Sequence, residues 1–192
     1  MSLKSLNIDK TWTLFLDRDG VINRKIENDY VRNINQFELI SGVIDGLRIL
    51  RGIFGKIIIL TNQRGIGRGL MKEEDLLEIH AEMLKIFNQH GISIDGIYYC
   101  PHDPEKEECN CRKPKPGLAL KAKEDFPCID FKRSIMVGDS LSDMELGRNL
   151  GMITVFISPV CYNSHLVDYQ FENLWEFAKC LIEDFKHEKR SY

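Results

Sequence analysis

The sequence predicts a doubly wound α/β domain, a mostly parallel sheet with helices on both faces. Three observations carry this. Short apolar runs rich in β-branched and aromatic residues are continuous rather than alternating, as strands buried on both faces of a parallel sheet are. Amphipathic stretches of helical period lie between them. Four polar clusters each follow an apolar run directly, and in open α/β sheets ligands bind outside the carboxyl ends of the strands.

The runs, in order, are "TLFL" (13–16), "KIIIL" (56–60), "GIYYC" (96–100), "SIMV" (134–137) and "ITVFI" (153–157), with "VDYQF" near residue 169 a weaker sixth. Val43, Leu47 and Leu50 form the first helical stripe, with Ser41 the expected N-cap. Leu76, His80, Met83 and Phe87 form the second, closed by Gly91. Leu174, Ala178, Leu181 and Phe185 form the third. The polar stretch 101–116 is too long for an ordinary loop and calls for a function or a clamp.

At 192 residues the chain suits one domain, 1–192, around a single core. A net charge of -3 argues against a general nucleic-acid binder, which carries a basic excess. No apolar run approaches a membrane span, and "MSLKSLNIDKTW" lacks the apolar core of a secretory signal. A cytoplasmic protein, monomeric and without membrane or nucleic-acid partners, is expected, and disulfides are rare in that compartment.

The first cluster, "DRDG", sets Asp17 and Asp19 one residue apart just past a strand, with Gly20 to turn the chain. Two carboxylates this close repel unless a cation lies between them. Alone, the pair reads equally as an exposed acidic turn. In "GDSLSD", Asp139 follows another strand and is placed to complete a hard-cation site with Asp17, of the kind that suits Mg²⁺. Asp143 reads as a helix N-terminal acid. In "TNQRGIGRG", Thr61 and nearby backbone N–H groups can hold a phosphate oxygen, or Thr61 and Asn62 simply satisfy a strand end. Glycines 65, 67 and 69, with Arg64 and Arg68, suggest a phosphate loop, though not a Walker A sequence.

The fourth cluster, "CPHDPEKEECNCRKPKPG", holds three of the six cysteines. Residues i and i+2 of an extended segment project to one side, so Cys100 with His102, and Cys109 with Cys111, each make half a clamp. Together they give a closed Cys₃His set for Zn²⁺, with no position left for a catalytic water. Free thiols or a disulfide are the plainer alternatives. The clamp ties down the segment carrying Arg112, Lys113 and Lys115, which Pro114 and Pro116 stiffen. Such basic residues otherwise belong to a solvated face. Cys128, Cys161 and Cys180 are isolated, and His80 reads as a packed residue rather than a ligand.

"LFLDRDG", "ILTNQ", "CRKPKPG" and "MVGDSLSD" resemble the four ordered motifs of the haloacid dehalogenase-like phosphatases. The likeness runs over about residues 14–151. The cysteine clamp followed by "CRKP", with "YV" and "GVIDGLRIL", is similar to the branch that holds the heptose bisphosphate and histidinol-phosphate phosphatases. "NDYVRNINQFELISGV" favours the heptose enzymes.

The resemblance implies a haloacid dehalogenase-like fold with a minimal cap and a Mg²⁺-dependent phosphatase. Its substrate is a small phosphorylated sugar, hydrolysed at the 7-phosphate of a heptose 1,7-bisphosphate through an aspartyl-phosphate. Asp17 is then the nucleophile and Asp19 the acid and base. Asp17, the Asp19 backbone carbonyl and Asp139 hold Mg²⁺. Thr61, Asn62 and Lys113 bind the phosphoryl group, with Gln63 and Arg64 beside them. Arg112 reaches the substrate or its second phosphate, and Asp29 and Tyr30 meet the sugar from a loop about two residues longer than in familiar members. Many members carry Lys or Arg directly after the motif aspartate, where this chain has Ser140. The charge contact is then either missing or supplied by Lys115, Arg64 or Arg68. A zinc-stabilised binding protein on an inactive scaffold is the reading from another class, against which the joint presence of Asp17, Asp19, Thr61, Lys113 and Asp139 argues.

Overall fold

The computed structural model describes residues 3–188, with the side chains at 4, 5 and 184–188 outside the described set. Its strands are β1 (Thr13–Leu16), β2 (Lys56–Asn62), β3 (Gly96–Cys100), β4 (Ser134–Gly138), β5 (Ile153–Ile157) and β6 (Tyr169–Phe171). The helices are α1 (Val43–Ile53), the single turn α2 (Arg64–Gly67), α3 (Glu73–Gln89), α4 (Gly117–Asp125), α5 (Leu141–Leu150) and α6 (Leu174–Glu188). All six strands form one parallel sheet in the order β3-β2-β1-β4-β5-β6. The chain winds outward from β1 to β3, then returns to β4 on the other side of β1. That reversal opens a crevice past the carboxyl ends of β1 and β4.

The period-two alternation of strand side chains builds a core on each face. Leu14, Leu16, Ile57, Ile59, Ile135 and Val137 pack with Leu47 and Leu50 of α1, Met83 and Phe87 of α3, and Leu174, Phe177, Ala178 and Leu181 of α6. Phe15, Ile58, Leu60 and Met136 point the other way, onto Leu118 and Ala122 of α4 and Leu146 of α5. Fully burying such a side chain contributes about 1.5–3 kcal/mol. The third helical stripe holds through Leu181, and the Phe185 side chain lies outside the described ones.

Two expectations shift, and one helix comes without a sequence expectation. The N-cap of α1 is Gly42, at φ 81, rather than Ser41, because the chain enters the helix through a left-handed turn. The strand β2 runs two residues further than its apolar run, carrying Thr61 and Asn62 into the sheet opposite Tyr99 and Cys100. The lysine-rich α4 shows little apolar stripe, yet three small or aliphatic residues, Leu118, Ala119 and Ala122, suffice to seat it.

The connection from β1 to α1 holds one 3₁₀ turn, Ile34–Gln36, and isolated bridges from Asn23 to Asp19 and Leu39. It and the 101–116 loop are what stand over the crevice. Among the described residues no helix is long and apolar enough to cross a membrane.

Candidate active site

Four carboxylates gather where β1 and β4 end. Asp17 leaves β1 with its N–H donated to the Val137 carbonyl of β4 at 2.9 Å. Asp139 follows β4, and Asp143 lies in the first turn of α5. Single carboxylate oxygens of Asp17, Asp139 and Asp143 all lie within 4.8 Å of one another. Gly20 makes this possible: at φ +86, a Cβ there would stand 2.2 Å from the Asp139 carboxylate.

Two lysines offset the acids. Lys113 is buried, with Nζ 2.9 Å from Asp17 Oδ1, 2.7 Å from Asp143 Oδ1 and 2.6 Å from the Leu60 carbonyl. These three acceptors match its three donors. Burial works against its charge, but Asp143 and Asp17 outweigh that and hold the ammonium above its usual range. Burial pushes the Asp17 carboxyl up to about 7, with Lys113 opposing. Burial raises Asp139 as well, against the pull of Lys25. Lys25, from the β1–α1 connection, places its Nζ 2.8 Å from Asp139 Oδ2.

Asp19 sits in a set of its own. Arg18 Nη2 donates to both of its oxygens at 3.0 and 2.9 Å, Asn23 to Oδ1 at 2.9 Å and Gln63 to Oδ2 at 2.9 Å. Burial opposes the charged form, but Arg18 and these donors hold the carboxyl below its ordinary range.

The 101–116 loop is knotted by its sulfurs. Cys111 Sγ is 2.9 Å from Cys100 Sγ and 3.0 Å from His102 Nδ1, and Cys109 Sγ is 3.6 Å from Cys100 Sγ. These separations exceed an S–S bond of about 2.05 Å. All four ligand atoms lie within 4.8 Å of one another, and a tetrahedron of about 2.3 Å zinc–sulfur bonds has edges of about 3.8 Å. The donors therefore suit zinc. Past the clamp, Asn62 and the Lys113 backbone exchange hydrogen bonds at 3.0 and 3.2 Å, tying the loop to β2.

Above the acids lies a cleft of roughly 220 Å³ lined by Asp17, Asp19, Lys25, Asp29, Tyr30, Thr61, Asn62, Arg112, Lys113 and Asp139. A buried nitrogen of Arg112, Nη1, has no hydrogen-bond partner in the described structure.

Similarity to known proteins meets this geometry. Residues 110–160 match the HAD-hydrolase-like family model. A Campylobacter jejuni protein named D-glycero-alpha-D-manno-heptose-1,7-bisphosphate 7-phosphatase is 47% identical over 174 residues, 91% of this chain and 98% of that protein. A Mycobacterium bovis protein of the same name is 43% identical over 87% of this chain and 90% of its own length. This chain belongs to the heptose-1,7-bisphosphate 7-phosphatase family. In structure, the D,D-heptose 1,7-bisphosphate phosphatase of B. bronchiseptica, crystallised with magnesium and phosphate, superposes with a TM-score of 0.79 at 26% identity, covering 90% of this chain and 99% of that one.

Of the residues singled out in sequence, Asp17, Asp19, Asp29, Tyr30, Thr61, Asn62, Arg112, Lys113 and Asp139 line the cleft, and Gln63, Arg64 and Lys115 lie outside its lining. Gln63 is buried and lies under the cleft: its amide donates to Asp19 and, at 2.8 Å, to Thr61 Oγ1. Arg64 points into the loop, 2.6 Å from both Asp103 and Glu105. Two glycines of the suggested phosphate loop face protein, a Cβ on Gly65 meeting the Tyr30 ring at 3.0 Å and one on Gly67 the Asp103 N–H at 2.6 Å, while Gly69, at φ +73, stands in open space. Lys115, exposed, donates to the Cys109 carbonyl at 2.7 Å.

Two residues carry more than their sequence reading. Asp143 is the helix acid expected, accepting from Ser140 N–H at 3.2 Å and Oγ at 2.6 Å, and it also pairs with Lys113. Ser140 is thus the N-cap of α5. Lys25 was not singled out, because one lysine in "NRKIEND" has no pattern to mark it; only the folded loop brings it to Asp139.

Proposed function

We propose that this chain is a phosphoric monoester hydrolase that removes the 7-phosphate of D-glycero-D-manno-heptose 1,7-bisphosphate. The observation that carries the reading is Asp17, at the floor of a cation-lined cleft, inside an all-oxygen cluster with Asp139 and Asp143, in a chain of this family. The donors fit magnesium: clustered carboxylates repel without a cation, and Gly20 holds open the approach of Asp139. Asp17, Asp139 and the Asp19 carbonyl are the proposed ligands, with Asp143 behind them. Magnesium held by these residues would supply positive charge to offset the Asp17 carboxylate and the phosphoryl oxygens.

Asp17 Oδ attacks phosphorus, a bond forms to it, and the bond from phosphorus to the sugar oxygen breaks. Asp19, held ionised by its donors in the resting structure, would take up a proton on turning out of that set, give it to the leaving oxygen, and then take one from water as that water attacks phosphorus, freeing Asp17 and orthophosphate. In the resting structure both Asp19 oxygens are engaged by donors, so one must turn out of the Arg18, Asn23 and Gln63 set to reach the leaving oxygen. The Thr61 hydroxyl, which accepts from Gln63, keeps its own proton to donate to a phosphoryl oxygen. Lys113 serves beneath Asp17 and Asp143 rather than as an open phosphate ligand. Arg112 meets the second phosphate, and Asp29 and Tyr30 the sugar.

The reaction calls for magnesium in the cleft, the fold of the loop for zinc in its clamp, and the whole chain works as one domain. The test is a kinetic comparison of both anomers of heptose 1,7-bisphosphate with histidinol phosphate. We expect kcat/KM highest for the α anomer, the substrate in the names of the Campylobacter and Mycobacterium relatives, with release of the 7-phosphate. Histidinol phosphate as the better substrate overturns the assignment.

A further inference from the structure

Lys25 is a cation in the cleft with freedom to change partner. Lys113 cannot: its side chain is 2% exposed and three acceptors take its three donors. The Lys25 side chain is 49% exposed, and the contact that holds it is the ion pair with Asp139 Oδ2. A half-exposed ammonium on a four-carbon stem moves readily between acceptors. On the wall beyond Asp139, Ser140 and Ser142 bond to one another through their hydroxyls at 2.8 Å and bring no positive charge. Of the other cations close in sequence to the site, Arg64 and Lys115 contact the 101–116 loop, and Arg112 lines the cleft with a buried Nη1 that has no hydrogen-bond partner in the described structure.

We propose that Lys25 is a transferable counter-ion of this cleft. It neutralises Asp139 while no divalent cation is bound. When a divalent cation takes Asp139, the ammonium swings to an oxygen of the phosphoryl group above Asp17. The inference rests on the phosphatase reading for its ligands, magnesium and a phosphate monoester. Its physical basis is the charge arrangement: Asp17 and Asp143 share a fixed, buried lysine, whereas Asp139 is paired with a half-exposed one. The same ammonium therefore competes with the metal and cooperates with the phosphate.

Two calorimetric titrations separate the two halves: Mg²⁺ alone, then inorganic phosphate at saturating Mg²⁺, on wild type, Lys25→Met and Lys25→Arg. Loss of a competing half-exposed ion pair should tighten Mg²⁺ binding to Lys25→Met by about twofold to fivefold. Loss of the charge-assisted contact should weaken its phosphate binding by about tenfold or more. Lys25→Arg should keep phosphate affinity within about threefold of wild type, since the charge is retained. Unchanged Mg²⁺ affinity in Lys25→Met overturns the competition, and unchanged phosphate affinity overturns the transfer. Neither titration contains a heptose, so a wrong sugar assignment leaves both results intact and is told apart from failure of this proposal.

Discussion

The guanidinium of Arg18 is fully buried and its Nη1 stands 3.2 Å from Nε2 of His80. Arginine can only donate, so His80 Nε2 accepts and the ring is neutral with its proton on Nδ1. The same guanidinium grips both oxygens of Asp19. A histidine on the apolar face of α3 thus fixes, through one arginine, the orientation of a carboxylate in the cleft.

The pair makes acid stability testable. Burial, with Arg18 beside it, lowers the His80 pKa to about 3 from an ordinary 6.5. Between those values the unfolded chain binds a proton that the native chain refuses, so His80 makes stability fall as pH drops through that window, by up to about 1.4 kcal/mol per pH unit. Denaturation midpoints of His80→Gln, which keeps an acceptor for Arg18, should fall less steeply than wild type between pH 6.5 and 4. Equal slopes would remove His80 as the titrating group.

Asp17→Asn should reduce turnover by at least about a thousandfold, since a carboxamide cannot form the phosphoryl bond. The fold should survive, because asparagine preserves the shape and removes a buried charge from the carboxylate cluster. Circular dichroism and phosphate release, measured on the same preparation, check both halves. Near-normal kcat in Asp17→Asn would rule out the covalent route.

The Asp17 carboxyl, pushed up to about 7, makes metal uptake depend on pH. Its folded pKa lies above the unfolded value of 3.8, so its own contribution to metal-free stability is present at low pH and lost as pH rises through about 7. A bound cation favours the deprotonated form and displaces that proton. The rise in Tm on adding Mg²⁺ should therefore be larger at pH 8 than at pH 6, and Asp17→Asn should flatten that dependence. A Mg²⁺-induced shift equal at both values would show that Asp17 is not among the ligands.

Much of this was legible in the chain. The runs 13–16, 96–100 and 153–157 coincide with β1, β3 and β5: β1 and β5 are buried on both faces and leave unbroken apolar segments, whereas β3, half-buried at the sheet edge, is marked by its paired tyrosines and β-branched isoleucine. Asp17, Asp139, Lys113 and the four clamp residues could be read because each closes or neighbours such a run or repeats at a two-residue spacing. What escaped depends on folding back. Arg64 and Lys25 look alike in sequence, both basic residues in polar loops. Only the path of the 101–116 loop sends Arg64 to Asp103 and Glu105, and only the turn at Gly20 brings the following segment, with Lys25, over Asp139. Gln63 escaped because its two acceptors, Asp19 and Thr61, lie on different strand ends.

The clamp separates Arg112 from Lys113, although the two are adjacent. Lys113 is held by Asn62 through its backbone and by Leu60, Asp17 and Asp143 through its ammonium. Arg112 has a buried nitrogen without a partner, so its aim into the cleft depends on Cys111 before it. Purified protein should carry one zinc per chain that resists brief chelation, since three thiolates and a histidine close the coordination sphere. Cys111→Ser should lower stability and raise KM for a bisphosphate substrate more than it lowers kcat, because the loop loses Arg112 before it loses Lys113. Added Mg²⁺ should not restore it, as the metal cleft is built on β1 and β4 rather than on the clamp. Metal analysis followed by kinetics of Cys111→Ser checks each step. A zinc-free variant with unchanged KM would show that Arg112 is aimed by contacts other than the clamp, whereas a loss confined to kcat would place the clamp's effect on Lys113 and Asp17.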